Sequence, residues 1–166
     1  MMEKVLAQLL ELGKVYTQLL SLAREKTDAL TRDDLKALGD VTKREEEASD
    51  QAFKLENERM GVVNQLALMW GMQPENVTVS FMASQCQGEL AIQLTRAAEQ
   101  LLDCLQLLRR QNETNARLLE IKLRLAAFVM DAARDTGNGP GTYYNMNGAE
   151  LEPNTLSAAR FLDSEI

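Results

Sequence analysis

The segment LTRDD, residues 30–34, separates two long stretches whose apolar residues recur with helical spacing. Thr31 can cap a helix that follows it, and Asp33 and Asp34 suit the positive end of a helix dipole. The segment therefore predicts a tight turn near Leu30–Thr31. Because short connections join antiparallel helices, this turn predicts a helical hairpin.

The stretches on both sides of the turn carry apolar residues at alternating steps of three and four, the spacing of a packed helical seam. Charged residues interrupt this seam at Lys26 on the first side and at Glu45 and Arg59 on the second. We predict helices over about 2–30 and 32–70. The seam residues are Val5, Leu9, Leu12, Tyr16, Leu19, Ala23 and Leu30, followed by Leu38, Val41, Ala48, Ala52, Leu55, Val62, Leu66 and Met69.

The second helix ends at a recognisable stop signal. Gly71 can cap the helix end, and Pro74 prevents its easy continuation. Between this signal and the next helical pattern, we predict a loop in which Thr78 caps a short helical turn.

A third helix is predicted over about 88–136, and the glycine-rich segment 137–141 ends it. If continuous, it is about 72 Å long, which exceeds the diameter of a compact globular domain of this size. We therefore predict an all-α fold for residues 1–136, an elongated antiparallel three-helix bundle or coiled coil. Residues 137–166 are predicted to form a flexible tail that binds a partner. The seam of the third helix contains Leu90, Leu94, Ala97, Leu101, Cys104 and Leu108, then Leu118, Leu125, Val129 and Ala132.

Composition argues against several functional classes. The net charge is −7, whereas nucleic-acid binders usually present a basic face. The chain has no histidine, the commonest general base and zinc ligand. The run Arg44-Glu45-Glu46-Glu47 is interpreted as a solvated helix face rather than a metal site. No nucleophile–base pair or phosphate loop is recognisable, so we expect no enzymatic activity, metal or cofactor.

The two cysteines, Cys86 and Cys104, point to a reducing compartment. If both lay on one helix they would be about 27 Å apart along its axis, too far for a disulfide. With no apolar run of membrane-spanning length and no signal peptide, we expect a cytoplasmic protein.

Two features remain unexplained by helix packing. Asn112 and Asn115 share one face of the third helix, either as a polar pair that fixes register or as a binding feature. Tyr143 and Tyr144 stand together after the third helix, either covering the bundle end or acting as interaction anchors.

These features together resemble the FlgN family of flagellar export chaperones. The resemblance rests on NETNARLLE, residues 112–120, and on GTYYNMNG, residues 141–148. It also includes the order of a helix, the turn at 30–33 and a second helix rich in Glu and Arg. This sequence has Asn147 where the family turn often carries aspartate.

The resemblance implies a cytoplasmic bacterial chaperone without enzymatic activity. Its implied partners are the hook-associated proteins FlgK and FlgL and the cytoplasmic domain of the export gate protein FlhA, so that it meets the membrane only through the gate. Docking on FlhA is implied for Tyr143 or Tyr144. Substrate-protein binding is expected at Asn112, Asn115, Leu118, Leu119, Leu156, Phe161 and Leu162.

The alternative interpretation is a structural coiled-coil scaffold or stalk of a secretion apparatus, with the tail as a passive end. Truncation after Thr136 discriminates between the two, because a passive end tolerates it. Neither interpretation specifies an oligomeric state or a preferred junction protein.

Overall fold

The computed structural model describes residues 1–136, 143–144 and 150–151. Its elements are α1 (Met2–Arg32), α2 (Leu35–Trp70), a 3-10 turn (Pro74–Asn76), α3 (Val79–Ser84) and α4 (Glu89–Thr136), then β1 (Tyr143–Tyr144) paired antiparallel with β2 (Glu150–Leu151). The all-α helical class is confirmed. The predicted tail, 137–166, lies largely outside the described residues.

The chain divides into two compact units, Met1–Glu120 and Ile121–Ile166. The first unit contains α1, α2, α3 and most of α4. The second contains the last part of α4 and the strand pair. Helix α4 therefore contributes residues to both units.

The turn between α1 and α2 differs in detail from the prediction. Asp33 adopts a left-handed conformation (φ 56°) that ends α1, and the Asp34 carboxylate caps α2 by accepting the Ala37 N–H at 2.9 Å. The prediction that Thr31 caps α2 was wrong. The Thr31 hydroxyl donates to the Thr27 carbonyl instead, at 2.8 Å, so α1 continues to Arg32.

The start of α1 packs with the end of α2 in one core cluster, and the later part of α1 packs with the first half of α2 in another, so the two helices are antiparallel. Two ion pairs join them. Lys26 Nζ donates to Glu45 Oε2 at 2.6 Å, and Arg44 donates to Glu25 at 2.7 Å. Lys26 and Glu45 are the charged residues that interrupt the two seams, and they are partly buried together. Two apparent defects in the apolar pattern are thus one interaction, since each charge neutralises the other inside the packing.

The first part of α4 packs on the hairpin and runs parallel to α1. Thr17 lies beside Cys104, and Thr27 hydrogen-bonds Asn115, at sequence separations of 87 and 88. A nearly constant separation requires parallel axes. One core cluster joins the three long helices and α3; its buried members are Val5, Leu9, Leu12, Val62, Val63, Leu66, Ala67, Val77, Met82, Leu94, Ala97 and Leu101.

The connection from α2 to α4 follows the predicted capping signals. Gly71 takes a left-handed conformation (φ 63°) at the end of α2. Thr78 Oγ1 accepts the Phe81 N–H at 3.1 Å and begins α3. The Trp70 and Phe81 rings meet edge to face with centroids 5.2 Å apart. Both predicted caps are confirmed.

The cysteines are free, as expected, but for a different reason. Cys86 follows α3 and precedes α4, whereas Cys104 lies within α4. The two cysteines therefore do not share one helix, since α4 begins at Glu89. Both are half-buried.

Gln8 is a polar residue in the α1 core face. Its side chain is buried, with only 7% of the residue exposed. Neither amide atom has a hydrogen-bond partner among the described residues. A buried amide without partners costs about 1–3 kcal/mol of stability.

Replacing Gln8 by methionine should therefore stabilise the protein. Gln8→Met keeps the side-chain volume and removes the unpaired amide, so we expect the free energy of unfolding to rise by about 1–2 kcal/mol. Urea unfolding followed by circular dichroism measures the change. The control is Gln18→Met on the exposed side of α1, expected to stay within about 0.5 kcal/mol. Destabilisation by Gln8→Met would show that the amide is satisfied.

Candidate partner-binding site

Two surfaces of α4 are candidates for partner binding. One is a groove in the first unit that we call the polar groove, with a volume of about 500 Å³. The other is the exposed part of α4 in the second unit. The polar groove is lined by Tyr16, Leu19, Lys26, Leu30, Leu38, Glu45, Ser49, Leu108, Asn112, Asn115, Ala116 and Leu119.

Asn115 forms the floor of the polar groove and joins α4 to α1. Its Nδ2 donates to the Ala23 carbonyl at 2.7 Å, and its Oδ1 accepts the Thr27 hydroxyl at 2.6 Å. Gln111 Nε2 donates in turn to Thr27 Oγ1 at 2.6 Å. Asn115 is only 5% exposed. Because a slip of either helix would leave these groups buried and unpaired, the network fixes the register of α4 against α1.

The other predicted α4 residues occupy different environments. Asn112 is exposed at the rim of the polar groove, and Leu119 is exposed and also lines it. Leu118 is half-buried on another side of α4. The structure thus brings Asn112, Asn115 and Leu119 together around one groove.

Sequence reasoning missed the opposite wall of this groove. Lys26 and Glu45 form part of that wall, and their ion pair supplies its charge. The available signal was that each interrupts an apolar seam, one on each side of the hairpin turn. Two opposite charges inside facing apolar seams indicate a possible pair, but only the packed helices show that they meet.

Tyr16 stands at one end of the polar groove with its ring half-buried. Burial raises the pKa of its hydroxyl, the nearby negative charge of Glu56 raises it further, and Arg59 partly opposes this. The phenol therefore remains protonated and can act as a hydrogen-bond donor throughout the neutral range.

In the second unit, α4 presents large apolar side chains to solvent. We define the apolar face as Ile121, Leu125, Phe128 and Val129, which are 57–64% exposed and recur at helical spacing. Leu123 and Met130 are exposed on the opposite side of the helix. The seam pattern predicts burial for Leu125 and Val129, and the structure contradicts that expectation.

The register explains this exposure. Arg32 ends α1, and at the separation set by Thr27 and Asn115 it lies level with Glu120, the last residue of the first unit. Beyond that level α1 offers no residue to continue the seam. A contiguous exposed apolar patch on a helix is a common feature of protein-binding surfaces.

The remaining predicted site residues belong to the tail. Tyr143 and Tyr144 form β1, in register with Leu151 and Glu150 of β2. Leu156, Phe161 and Leu162 lie outside the described residues. Their assigned roles remain predictions.

Two further kinds of site are absent from the described part of the chain. No group of three or more acidic, cysteine or histidine residues there could hold a metal ion. None of the helices in that part combines the length and apolarity required to cross a bilayer.

Comparison with known proteins gives one match. A family model described as FlgN protein matches residues 1–152. No curated protein and no solved structure matches the chain. The matched range contains α1 to α4 and both strands.

Asn115 is buried in a hydrogen-bond network, whereas Asn112 is exposed at the rim of the groove, so we predict different effects for their replacement. Asn115→Ala removes both bonds to α1, so the free energy of unfolding should fall by about 1–3 kcal/mol. Asn112→Ala, the matched exposed control, should change it by less than about 0.5 kcal/mol. Urea unfolding of both variants tests this. Equal effects would exclude Asn115 as the register-fixing residue.

Proposed function

Because the chain belongs to the FlgN family of flagellar export chaperones, we propose that it binds the hook-associated proteins FlgK and FlgL and delivers them to the export gate. The observation that supports this most directly is the apolar face of α4, where four large apolar side chains on one side of the helix are 57–64% exposed. A chaperone needs such a surface, since its substrate buries apolar side chains that would otherwise aggregate.

We assign substrate binding to α4 and the tail. The apolar face has the i, i+4, i+7 spacing that receives an amphipathic helix, so the C-terminal helical segment of FlgK or FlgL fits its chemistry. Asn112, Asn115 and Leu119, around the polar groove, and Leu118 form the predicted substrate site on the first unit. Leu156, Phe161 and Leu162 complete the set from the tail.

The energetics suit a reversible complex. Burying one large apolar side chain contributes about 1.5–3 kcal/mol, whereas a micromolar complex requires about 8 kcal/mol net. Because the four side chains of the face are 57–64% exposed, they can supply only part of this, and the apolar side chains of the substrate segment must supply the rest against its ordering cost. Affinity of this order allows the substrate to be held in the cytoplasm and released at the gate.

Release requires a second contact, which we assign to Tyr143 or Tyr144 and the cytoplasmic domain of FlhA. Aromatic residues are enriched at protein interfaces because a large ring contributes contact area at little entropic cost. The two tyrosines follow the substrate-binding face in sequence, so one segment can present substrate and gate contacts in succession. No cofactor enters this cycle, and the membrane is met only through the gate.

Substrate capture can be tested with one matched pair of full-length variants. Leu125→Asp places a charge on the apolar face and should weaken binding of the FlgK and FlgL C-terminal segments at least tenfold, about 1.4 kcal/mol. Ala127→Asp places the same charge on an exposed position away from that face and should preserve affinity. Isothermal titration calorimetry measures both.

The controls for this titration also separate the alternative functions. If only Ala127→Asp weakens binding, the substrate occupies the Leu123 side of α4. A chain ending at Thr136 is titrated in parallel; retained binding would place the site wholly on the helices. If neither segment binds the wild-type chain, the chaperone proposal fails and a scaffold or stalk role becomes the better account.

The gate contact is tested separately. Tyr143→Ala/Tyr144→Ala should weaken binding to the cytoplasmic domain of FlhA while leaving FlgK and FlgL binding and the thermal transition unchanged. The two single variants then identify which ring docks. A lost thermal transition in the double variant would show instead that the rings belong to the core.

A further inference from the structure

The second half of α2 carries an uncharged stripe on its outer surface. We define the α2 stripe by its six exposed members: Phe53, Asn57, Met60, Gly61, Asn64 and Leu68. Its large apolar side chains, Phe53, Met60 and Leu68, are 69%, 43% and 83% exposed. None of the six is charged, although 26% of the residues of the chain are. An uncharged stripe with large apolar side chains on a surface helix indicates a protein contact.

The six residues form two ridges along α2. One ridge contains Phe53, Asn57 and Gly61 at steps of four, and the other contains Met60, Asn64 and Leu68 at the same steps. Ridges at this spacing interdigitate in the commonest class of helix–helix packing. The stripe extends about 22 Å along the helix axis, so a second helix has room to pack across it.

Gly61 is the small residue at the centre of the α2 stripe. Glycine within a helix lowers helix stability relative to alanine. Packing inside the described chain does not require it, because a side chain at Gly61 would meet no atom of another part of the chain within 4 Å. A glycine next to Met60 instead leaves space for a large side chain that comes from another molecule.

We propose that the α2 stripe is the contact between two copies of this chain, with the two α2 helices antiparallel. The pattern of the stripe is repeated in reverse about the midpoint between residues 60 and 61. A two-fold symmetric interface needs this property, because every contact between two different residues occurs twice. The opposed residues are Phe53 with Leu68, Asn57 with Asn64, and Met60 with Gly61.

The opposed residues are complementary in size and in hydrogen bonding. Met60 of each copy fills the space beside Gly61 of the other copy. The amides of Asn57 and Asn64 can each donate to and accept from one another. Large apolar side chains close the two ends of the contact, where burial of their exposed area favours association.

Charge does not oppose this pairing. Glu56 and Arg59, beside the stripe, already bind each other at 2.8 Å, and the Arg59 guanidinium lies 3.9 Å from the Met60 sulfur. The charged residues within 53–68 are Lys54, Glu56, Glu58 and Arg59, and the residues opposite them are Ala67, Gln65, Val63 and Val62. No charge of one copy therefore lies directly opposite a like charge of the other along the stripe.

The size of the contact predicts a weak, reversible dimer. A single helix pair with three large apolar side chains from each copy is smaller than a standard interface of roughly 1,200–2,000 Å². Association also costs translational and rotational freedom. We therefore expect a dissociation constant in the micromolar range. The proposed substrate surface is on α4, so this inference does not depend on the proposed function.

Sedimentation equilibrium of the full-length chain, from micromolar to millimolar concentration, measures the association. Met60→Glu places a charge at the centre of the stripe and should weaken dimerisation about tenfold or more, since the charge would be buried without a partner. The matched control is Met69→Glu, the same change at a methionine that is 66% exposed on the opposite side of α2. It should leave the dissociation constant unchanged.

Gly61→Leu distinguishes the contact from a role in folding. Leucine favours a helix more than glycine does, so thermal unfolding followed by circular dichroism should show no loss of stability. The new side chain occupies the space that Met60 of the other copy needs, so dimerisation should weaken about tenfold or more. A stable variant with unchanged dimerisation would overturn the inference.

The antiparallel direction is tested by a charge pair. Asn57→Glu and Asn64→Lys each introduce one charge, and the double variant brings opposite charges together across the two-fold axis. The double variant should therefore dimerise more tightly than either single variant. A double variant that is no tighter than the single variants would overturn the proposed pairing.

The remaining outcomes also decide the inference. It fails if the wild type stays monomeric at millimolar concentration, or if Met60→Glu and Met69→Glu have equal effects. It also fails if Leu125→Asp, on the apolar face of α4, dissociates the dimer and Met60→Glu does not. Weakening by Met60→Glu and Gly61→Leu, without weakening by Met69→Glu, would support it.

Discussion

The side-chain amide of Asn115 is the contact on which the arrangement of the first unit depends. It bonds the Ala23 carbonyl and the Thr27 hydroxyl of α1 in a buried environment. Apolar seams tolerate a shift of one helical repeat, since one leucine resembles the next. A buried amide does not, because a shift would leave its donor and acceptor unpaired. This network therefore selects one register among several that hydrophobic burial alone would allow.

The register has a functional consequence. It sets Arg32, the last residue of α1, level with Glu120, and the apolar face of α4 begins directly afterwards. The proposed substrate surface is thus the part of a packing seam that has no α1 residues left to pack on. Because the apolar seam of α4 continues beyond the end of α1, the same helix can provide a binding surface without a separate domain.

Charged residues within the seams also help to select one alignment of the helices. Lys26 of α1 and Glu45 of α2 are in direct contact, and their ion pair forms only when the hairpin has its observed alignment. Partly buried pairs of this kind add little net stability, because desolvation offsets much of the attraction. Gln8, in contrast, is buried, and its amide has no hydrogen-bond partner among the described residues. It therefore lowers the stability of the fold without fixing any alignment.

The helices, their caps and the all-α class follow from local sequence, because heptad spacing, Gly71, Pro74 and Thr78 act within a few residues of where they stand. The FlgN resemblance was likewise readable from 112–120 and 141–148. Three features needed the tertiary structure: the pairing of Lys26 with Glu45, the burial of Asn115 and the exposure of Leu125 and Val129. Each depends on which residue of another helix lies opposite. Periodicity specifies which side of a helix is apolar, whereas only the packed register decides where along the helix that side is covered.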